Sequence, residues 1–331
     1  MRTPFWLLLA ATLAINNLPL LQGADTAQRK KKEADSGPRR DDDAPKFRPS
    51  RAVDKVVVFK TTPQGQLKLH FYLPPGWSAS DRRPAMVLWF GGGFNHGTPS
   101  QFFWQADYFA SRGLVTVCPE YRVKGTHGTL IDKCVEDARS AMRWVKSHAG
   151  ELGIAPDKVI ASGGSAGGTL SLLVARATGP DATDDDVRLS PRPCALVLFN
   201  PAMGERVLRV IGKAGASAEQ ALVSAQVMEL NTPQKDEPPT IMFFGTEDRE
   251  FLEVAREFCR KADAQGTRCE VWTADKNRHG FFNGAPWHEA TARKADEFLT
   301  SLGYLQGPPK IKADPAAVLM RFDPMVSANS R

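Results

Sequence analysis

Six short apolar runs constrain the fold of this chain more than any other feature. They read "AMVLWF" (85–90), "LVTVCP" (114–119), "KVIAS" (158–162), "ALVLF" (195–199), "TIMFF" (240–244) and "CEVWT" (269–273). A strand with one wet face alternates apolar and polar residues. A run without alternation fits a strand covered on both faces, as in a parallel sheet between helical layers. Helical stretches separate the runs, most clearly "DKCVEDARSAMRWVKSH" (132–148), where Val135, Ala138, Met142 and Val145 recur at helical spacing. Further helices are expected after Ser165, over 250–264 and over 288–302. Upstream, "KVVVFK" (55–60) and "LKLHFY" (67–72) flank "TTPQGQ" and read as an antiparallel hairpin. The expectation is an α/β fold over 53–305: a doubly wound, mostly parallel, eight-stranded sheet with helices on both faces and an antiparallel start. Residues 202–237 lack a strand signal but hold a helical "SAEQALVSAQVMEL", so they are expected to form a small cap inserted over the sheet edge. From 306 to 331 a tail opening "QGPPKIKADP" is expected to leave the domain.

The amino end has a different texture. One Arg, an apolar stretch from Phe5 to Ile15 and small residues near Gly23 and Ala24 have the layout of a cleaved export signal over 1–24. Asn16, Asn17 and Pro19 interrupt the run and argue against an anchoring helix. No later stretch approaches the apolar length of a membrane span. Residues 25–52 are charged, contain Pro and have almost no large apolar groups, which predicts a disordered linker. Residues 1–52 hold ten Lys and Arg against six Asp and Glu, so they carry +4 of the chain's net +6. The remainder is close to neutral and offers little footing for nucleic acid. A secreted or periplasmic location follows as an expectation.

None of the five cysteines (118, 134, 194, 259, 269) shows the paired spacing of a zinc site. Export permits a disulfide. Cys259 falls on an expected helix and Cys269 opens the next strand, so a short bridge between them is one reading and free buried thiols the other.

The stretch "VIASGGSAGGTLSLL" (159–173) sets Ser165 between two glycine pairs, with a strand before it and a helix after it. A nucleophile at the apex of a tight strand-to-helix turn pushes its side chain clear of the backbone, and flanking residues without Cβ make room for that turn. The helix amino end also favours negative charge at the site. "GGSAG" alone is a weak signal, because Gly and Ser are common. The rest of the chain strengthens it. "WFGGGFNHG" (89–97) puts three glycines directly after an expected strand, where their N–H groups can stabilise an oxyanion. Gly92 and Gly93, with the N–H of Ala166, are the expected donors. A serine needs a base, and the base an orienting acid. "TIMFFGTEDRE" (240–250) runs a strand into Asp248, and "DKNRHGFFNG" (275–284) presents His279. Glu247 and Asp275 are rival acids; Asp248 is preferred for its place at a strand's carboxyl end. Among the other histidines, 70, 148 and 288 fall on regular elements, whereas His96 and His127 could line a mouth together with Phe94, Phe102 and Trp104.

Taken in order, "FGGGF", "PEYR" (119–122), "DARSAMRW" (137–144), "SGGSAGG" (162–168), "GTED" and "HGFF" resemble the α/β-hydrolase esterases. The resemblance is to the hormone-sensitive-lipase-like and bacterial acetyl or feruloyl (BD-FAE-like) branch, from about residue 53 to 305. It implies a metal-free, cofactor-free carboxylester hydrolase with Ser165 as nucleophile, His279 as base and then acid, and Asp248 as orienter. Many relatives have His where this chain has Phe90, so packing of Phe90 or Trp89 is expected to hold the glycine loop. Arg122 and Asp137 are expected to pair as architecture. The substrate class expected from export and the aromatic mouth is an acetyl or aromatic acyl ester of carbohydrate. A prolyl-oligopeptidase-type peptidase, an esterase for small lipid-like esters and an inactive surface protein are the alternatives.

Overall fold

All six apolar runs are strands. The computed structural model describes residues 48–176, 178–211 and 217–322. The export-signal reading over 1–24 and the linker reading as far as 47 lie outside the described residues. In chain order the elements are β1 (Lys55–Thr62), β2 (Gly65–Tyr72), β3 (Arg83–Trp89), α1 (Phe103–Ser111), β4 (Val115–Pro119), α2 (Lys124–His127) and α3 (Ile131–Ser147). Then follow β5 (Ile154–Gly164), α4 (Ala166–Val174), β6 (Leu196–Phe199), α5 (Glu205–Ile211), α6 (Ala218–Met228), β7 (Thr240–Gly245), α7 (Arg249–Ala264), β8 (Cys269–Ala274), α8 (Trp287–Ser301) and β9 (Leu319–Arg321).

The sheet order is β1-β2-β4-β3-β5-β6-β7-β8-β9. Strands β3 to β8 run parallel, while β1, β2 and β9 pair antiparallel to their neighbours. Alternate residues of each inner strand feed opposite cores, as the period-2 geometry of a strand requires. Val87, Trp89, Met242 and Phe244 face a cluster with Val135, Met142 and Leu170, whereas Met86, Leu88, Ile241 and Phe243 face one with Phe109, Phe298 and Leu299. Because both faces are covered, the runs need no polar alternation. The strand order turns back at β3, which lies between β4 and β5, and open α/β sheets assemble sites at the carboxyl ends beside such a point.

Four expectations need correction. The sheet has nine strands among the described residues rather than eight, because Leu319–Arg321 returns from the tail to pair with β8. The tail is held earlier as well, by Arg112 donating to the carbonyls of Gln306 (3.0 Å) and Gly307 (2.9 Å). At the other end, the linker's last residues dock: the backbone N–H of Ser50 donates to Asp107 at 2.7 Å and Arg51 Nε at 2.8 Å. Finally, the insertion is no cap over the sheet edge. Val223, Val227 and Leu230 pack into the same core cluster as the helices α3 and α4, so α6 thickens one helical layer.

Cys259 on α7 and Cys269 at the head of β8 are joined by a disulfide, while Cys118, Cys134 and Cys194 are free. Among the described residues no helix is long and apolar enough to cross a membrane.

Candidate active site

Strand β5 ends at Gly164 and helix α4 begins at Ala166, so the whole reversal falls on Ser165. Its backbone takes φ 51° and ψ −117°, in a region that non-glycine residues occupy at a cost of about 1–3 kcal/mol. The surroundings hold it there. Ser165 N–H donates to the Phe199 carbonyl at 2.9 Å, and its own carbonyl accepts from Thr169 (3.0 Å) and Ala202 (3.2 Å). Steric room explains two of the glycines. A Cβ on Gly163 would stand 2.5 Å from the Gly167 backbone, and one on Gly167 would stand 2.0 Å from the Trp89 carbonyl oxygen. Without side chains there, the end of β3 and the start of α4 close onto the turn.

The imidazole arrives from the other half of the sheet. His279, on the loop after β8, places Nε2 2.8 Å from Ser165 Oγ and Nδ1 2.6 Å from Asp248 Oδ2. With Nδ1 donating to the carboxylate, Nε2 is free to accept the serine proton. Asp248 is 5% exposed, buried at the turn between β7 and α7. The two rival acids are occupied elsewhere: Glu247 pairs with Arg278 at 2.9 Å, and Asp275 accepts from Thr246 at 3.3 Å.

Sequence reasoning missed Asn200. Fully buried at the end of β6 and held at φ 46°, it donates from Nδ2 to Asp248 Oδ2 (3.1 Å) and accepts the Gly280 N–H on Oδ1 (3.2 Å). It therefore ties the carboxylate to the backbone beside His279. The one available signal was an amide directly after an apolar strand.

The glycine loop leaves β3 beside the serine. Gly92 adopts φ 116°, and a Cβ there would meet the His96 carbonyl at 2.0 Å. That carbonyl approach is part of a tight turn in which Asn95 and His96 N–H both donate to Gly92 O. Phe90 does the work expected of packing. Its ring stacks on Tyr121 with centroids 4.1 Å apart, and the Tyr121 hydroxyl donates to the Phe90 carbonyl at 2.8 Å. Among the described residues no backbone hydrogen bond of the loops takes the N–H groups of Gly92 or Gly93, and Ala166 N–H lies at the amino end of α4. A cavity of about 450 Å³ opens over this point, lined by Gly92, Gly93, His96, Ser165, His279 and Phe282 among others.

The expected aromatic mouth is absent from this lining. Phe102 is fully buried below the turn, stacked on Phe282 at 5.9 Å and 3.1 Å from where a Cβ on Gly164 would stand. Trp104, two residues on, rides the face of α1 toward α8, 4.1 Å from the ring of His288, and belongs to a separate cavity. Phe94 is 5% exposed and faces a third cavity, with Leu130 and Ile131. His127 is engaged locally, accepting the Val123 N–H at 2.9 Å. Arg122 and Asp137 form a buried bidentate pair (2.8 and 2.7 Å) that also meets Glu136. Burial raises the Glu136 pKa, but hydrogen bonds from Lys133 and Lys60 outweigh it and hold the carboxyl at about 2. Among the described residues no group of three or more His, Cys, Asp or Glu is placed to hold a metal.

The sheet order, the serine turn and the glycine loop put the molecule among the α/β-hydrolases. Comparison narrows that class. The BD-FAE family model matches residues 69–194. The chain is 36% identical to the apo form of Thermogutta terrifontis esterase 2, with a TM-score of 0.69 over 79% of this chain and 100% of that one. The butyrate-bound form of the same esterase gives 36% identity and a TM-score of 0.68, over 76% and 96%. Esterase LipI of Mycobacterium tuberculosis is 29% identical over 133 residues, 38% of each chain. Carboxylesterase NlhH of the same organism is 30% identical over 111 residues, 33% of this chain and 34% of that one. The matches to these curated relatives thus span little more than a third of their length. The chain belongs to the α/β-hydrolase esterases of the BD-FAE and hormone-sensitive-lipase type, a family of carboxylic ester hydrolases, as its motifs implied.

Proposed function

We propose that this protein is an exported serine carboxylesterase that removes acetyl or aromatic acyl groups from carbohydrate through an acyl-enzyme. The observation that carries the reading is the single imidazole within 2.8 Å of the Ser165 hydroxyl and 2.6 Å of the Asp248 carboxylate. As Ser165 Oγ bonds to the ester carbonyl carbon, its proton passes to His279 Nε2, and Asp248 stabilises the resulting imidazolium. The carbonyl oxygen becomes an oxyanion facing Gly92, Gly93 and Ala166 N–H, each such donor contributing about 3–4 kcal/mol to the transition state. Collapse breaks the bond to the alcohol, which leaves with the proton from His279. Water then attacks the acyl-serine with His279 again accepting a proton, and the acid departs.

Two features support a short acyl group on a hydroxyl-rich alcohol. The cavity, of about 450 Å³, is lined among others by Asn95 and His96, whose polar groups can pair with hydroxyls of the alcohol. The similar Thermogutta esterase has been solved with butyrate and with propionate bound. The export-signal reading of residues 1–24 makes the site of action secreted or periplasmic.

Purified protein tested on p-nitrophenyl esters of increasing chain length and on acetylated xylan checks the proposal. Turnover of acetyl esters and release of acetate from xylan are expected, both falling by at least about 10⁴-fold in Ser165→Ala. Activity on long-chain esters alone would overturn the carbohydrate assignment, and cleavage of peptide amides with poor ester turnover would overturn the esterase assignment.

A further inference from the structure

We infer that Gln101 and Asn283 form a clasp that holds the oxyanion loop and the histidine loop at a fixed separation, making both of them positioning residues for ester hydrolysis. The inference rests on the reading of Ser165 as nucleophile and of Gly92 and Gly93 as oxyanion donors.

Three hydrogen bonds in series make the clasp. The N–H of Gly91, the residue before the first expected donor, gives its proton to Gln101 Oε1 at 2.6 Å. Gln101 Nε2 donates to Asn283 Oδ1 at 3.1 Å, across 182 residues of sequence. Asn283 Nδ2 then donates to the carbonyl of Gly280 at 3.0 Å, one peptide beyond His279. Each amide uses its oxygen once and its nitrogen once. Turning either over would set oxygen against oxygen or N–H against N–H, so the chain has one direction.

The two amides stand on a rigid base. Gln101 belongs to the short turn Pro99–Phe102 and Asn283 to the turn Phe281–Asn283, and the rings of Phe102 and Phe282 stack between these turns below the serine. Gly280 is gripped from both sides, its N–H by Asn200 and its carbonyl by Asn283. Asn283 is exposed, and a solvent-facing amide pair contributes little to folding. Its consequence is geometric: donors and base come from opposite halves of the sheet, and displacing such groups by an ångström costs about a hundredfold in rate. Both clasp residues line the cavity over Ser165.

The test compares kcat and KM for p-nitrophenyl acetate in the wild type, Gln101→Ala, Asn283→Ala and the double variant, with thermal unfolding of each. Each single change is expected to lower kcat about tenfold with KM within twofold and unfolding temperature nearly unchanged. The double variant is expected to be no more than twofold slower than the slower single, because either substitution opens the same clasp. Wild-type kcat in the single variants, losses that multiply in the double variant, or losses that track unfolding would overturn the clasp. A fall in Ser165→Ala, run alongside, of less than about tenfold would instead overturn the nucleophile reading.

Discussion

The serine turn and the histidine loop meet at one hydrogen bond, yet they are held in place by different physics. Ser165 is fixed by exclusion. Its strained backbone sits between elements packed so closely that Gly163 and Gly167 have no space for a methyl group. His279 is fixed by polar ties: Asp248 on its ring, and Asn200 and Asn283 on the backbone of the next residue. The contrast teaches that damage should take two forms. At the turn, one added carbon should cost the fold itself. At the loop, a lost hydrogen bond should cost rate while the fold survives.

The most severe test of that contrast is Gly167→Ala. Its Cβ would stand 2.0 Å from the Trp89 carbonyl and 2.5 Å from that of Phe90, both backbone atoms that cannot swing aside. A loss of at least about 3 kcal/mol in urea unfolding is expected, with esterase activity gone. Normal stability would show that exclusion is not what holds the turn.

Acid should loosen the histidine side first. His288 opens α8, just after the His279 loop, and burial pushes its pKa down from 6.5 to about 4. Between those values the unfolded chain binds the proton that the folded one refuses. Stability is therefore whole above pH 6.5 and falls as pH drops toward 4, by about 3 kcal/mol in all. Unfolding curves across that range should lose this slope in His288→Phe. An unchanged slope would place the acid sensitivity elsewhere.

Asn200→Ala should separate rate from fold. Removing a hydrogen bond to a buried carboxylate is expected to lower kcat about ten- to a hundredfold, equivalent to ~1.5–3 kcal/mol, with KM within twofold. Unchanged kcat in steady-state assays would mean that Asp248 orients the ring unaided. The smallest effect belongs to Arg278→Ala. The Arg278 and Glu247 side chains are 87% and 42% exposed, and breaking such a pair should shift stability by less than about 0.5 kcal/mol and leave kcat within twofold. A larger effect would add this pair to the ties on the loop.

The same division decided what could be read from the chain. Exclusion leaves a mark in sequence: the short, mostly apolar runs between helical stretches read as strands covered on both faces, and four glycines around Ser165 announced a crowded turn. The order Ser165, Asp248, His279 was legible for the same reason, since each follows a strand at the same edge of the sheet. Polar ties leave no such mark. Asn200 meets its partners 48 and 80 residues away and Gln101 meets Asn283 across 182, separations that no local pattern records. Side-chain direction was equally hidden. Phe102 and Trp104 are two residues apart, yet one turns down under Gly164 and the other out against α8, as the start of α1 dictates. Strand β9 escaped because three mostly exposed residues at a sheet edge carry no periodicity. The helix α6 was recognised, but its apolar face could not say which layer it would cover.

The central claim is that one imidazole activates one hydroxyl, and reaction with a fluorophosphonate followed by peptide mapping tests it most directly. A single adduct on Ser165 is expected, absent in Ser165→Ala and formed about 10²–10⁴-fold more slowly in His279→Ala. An adduct on another residue, or labelling of Ser165 at an undiminished rate without His279, would contradict it.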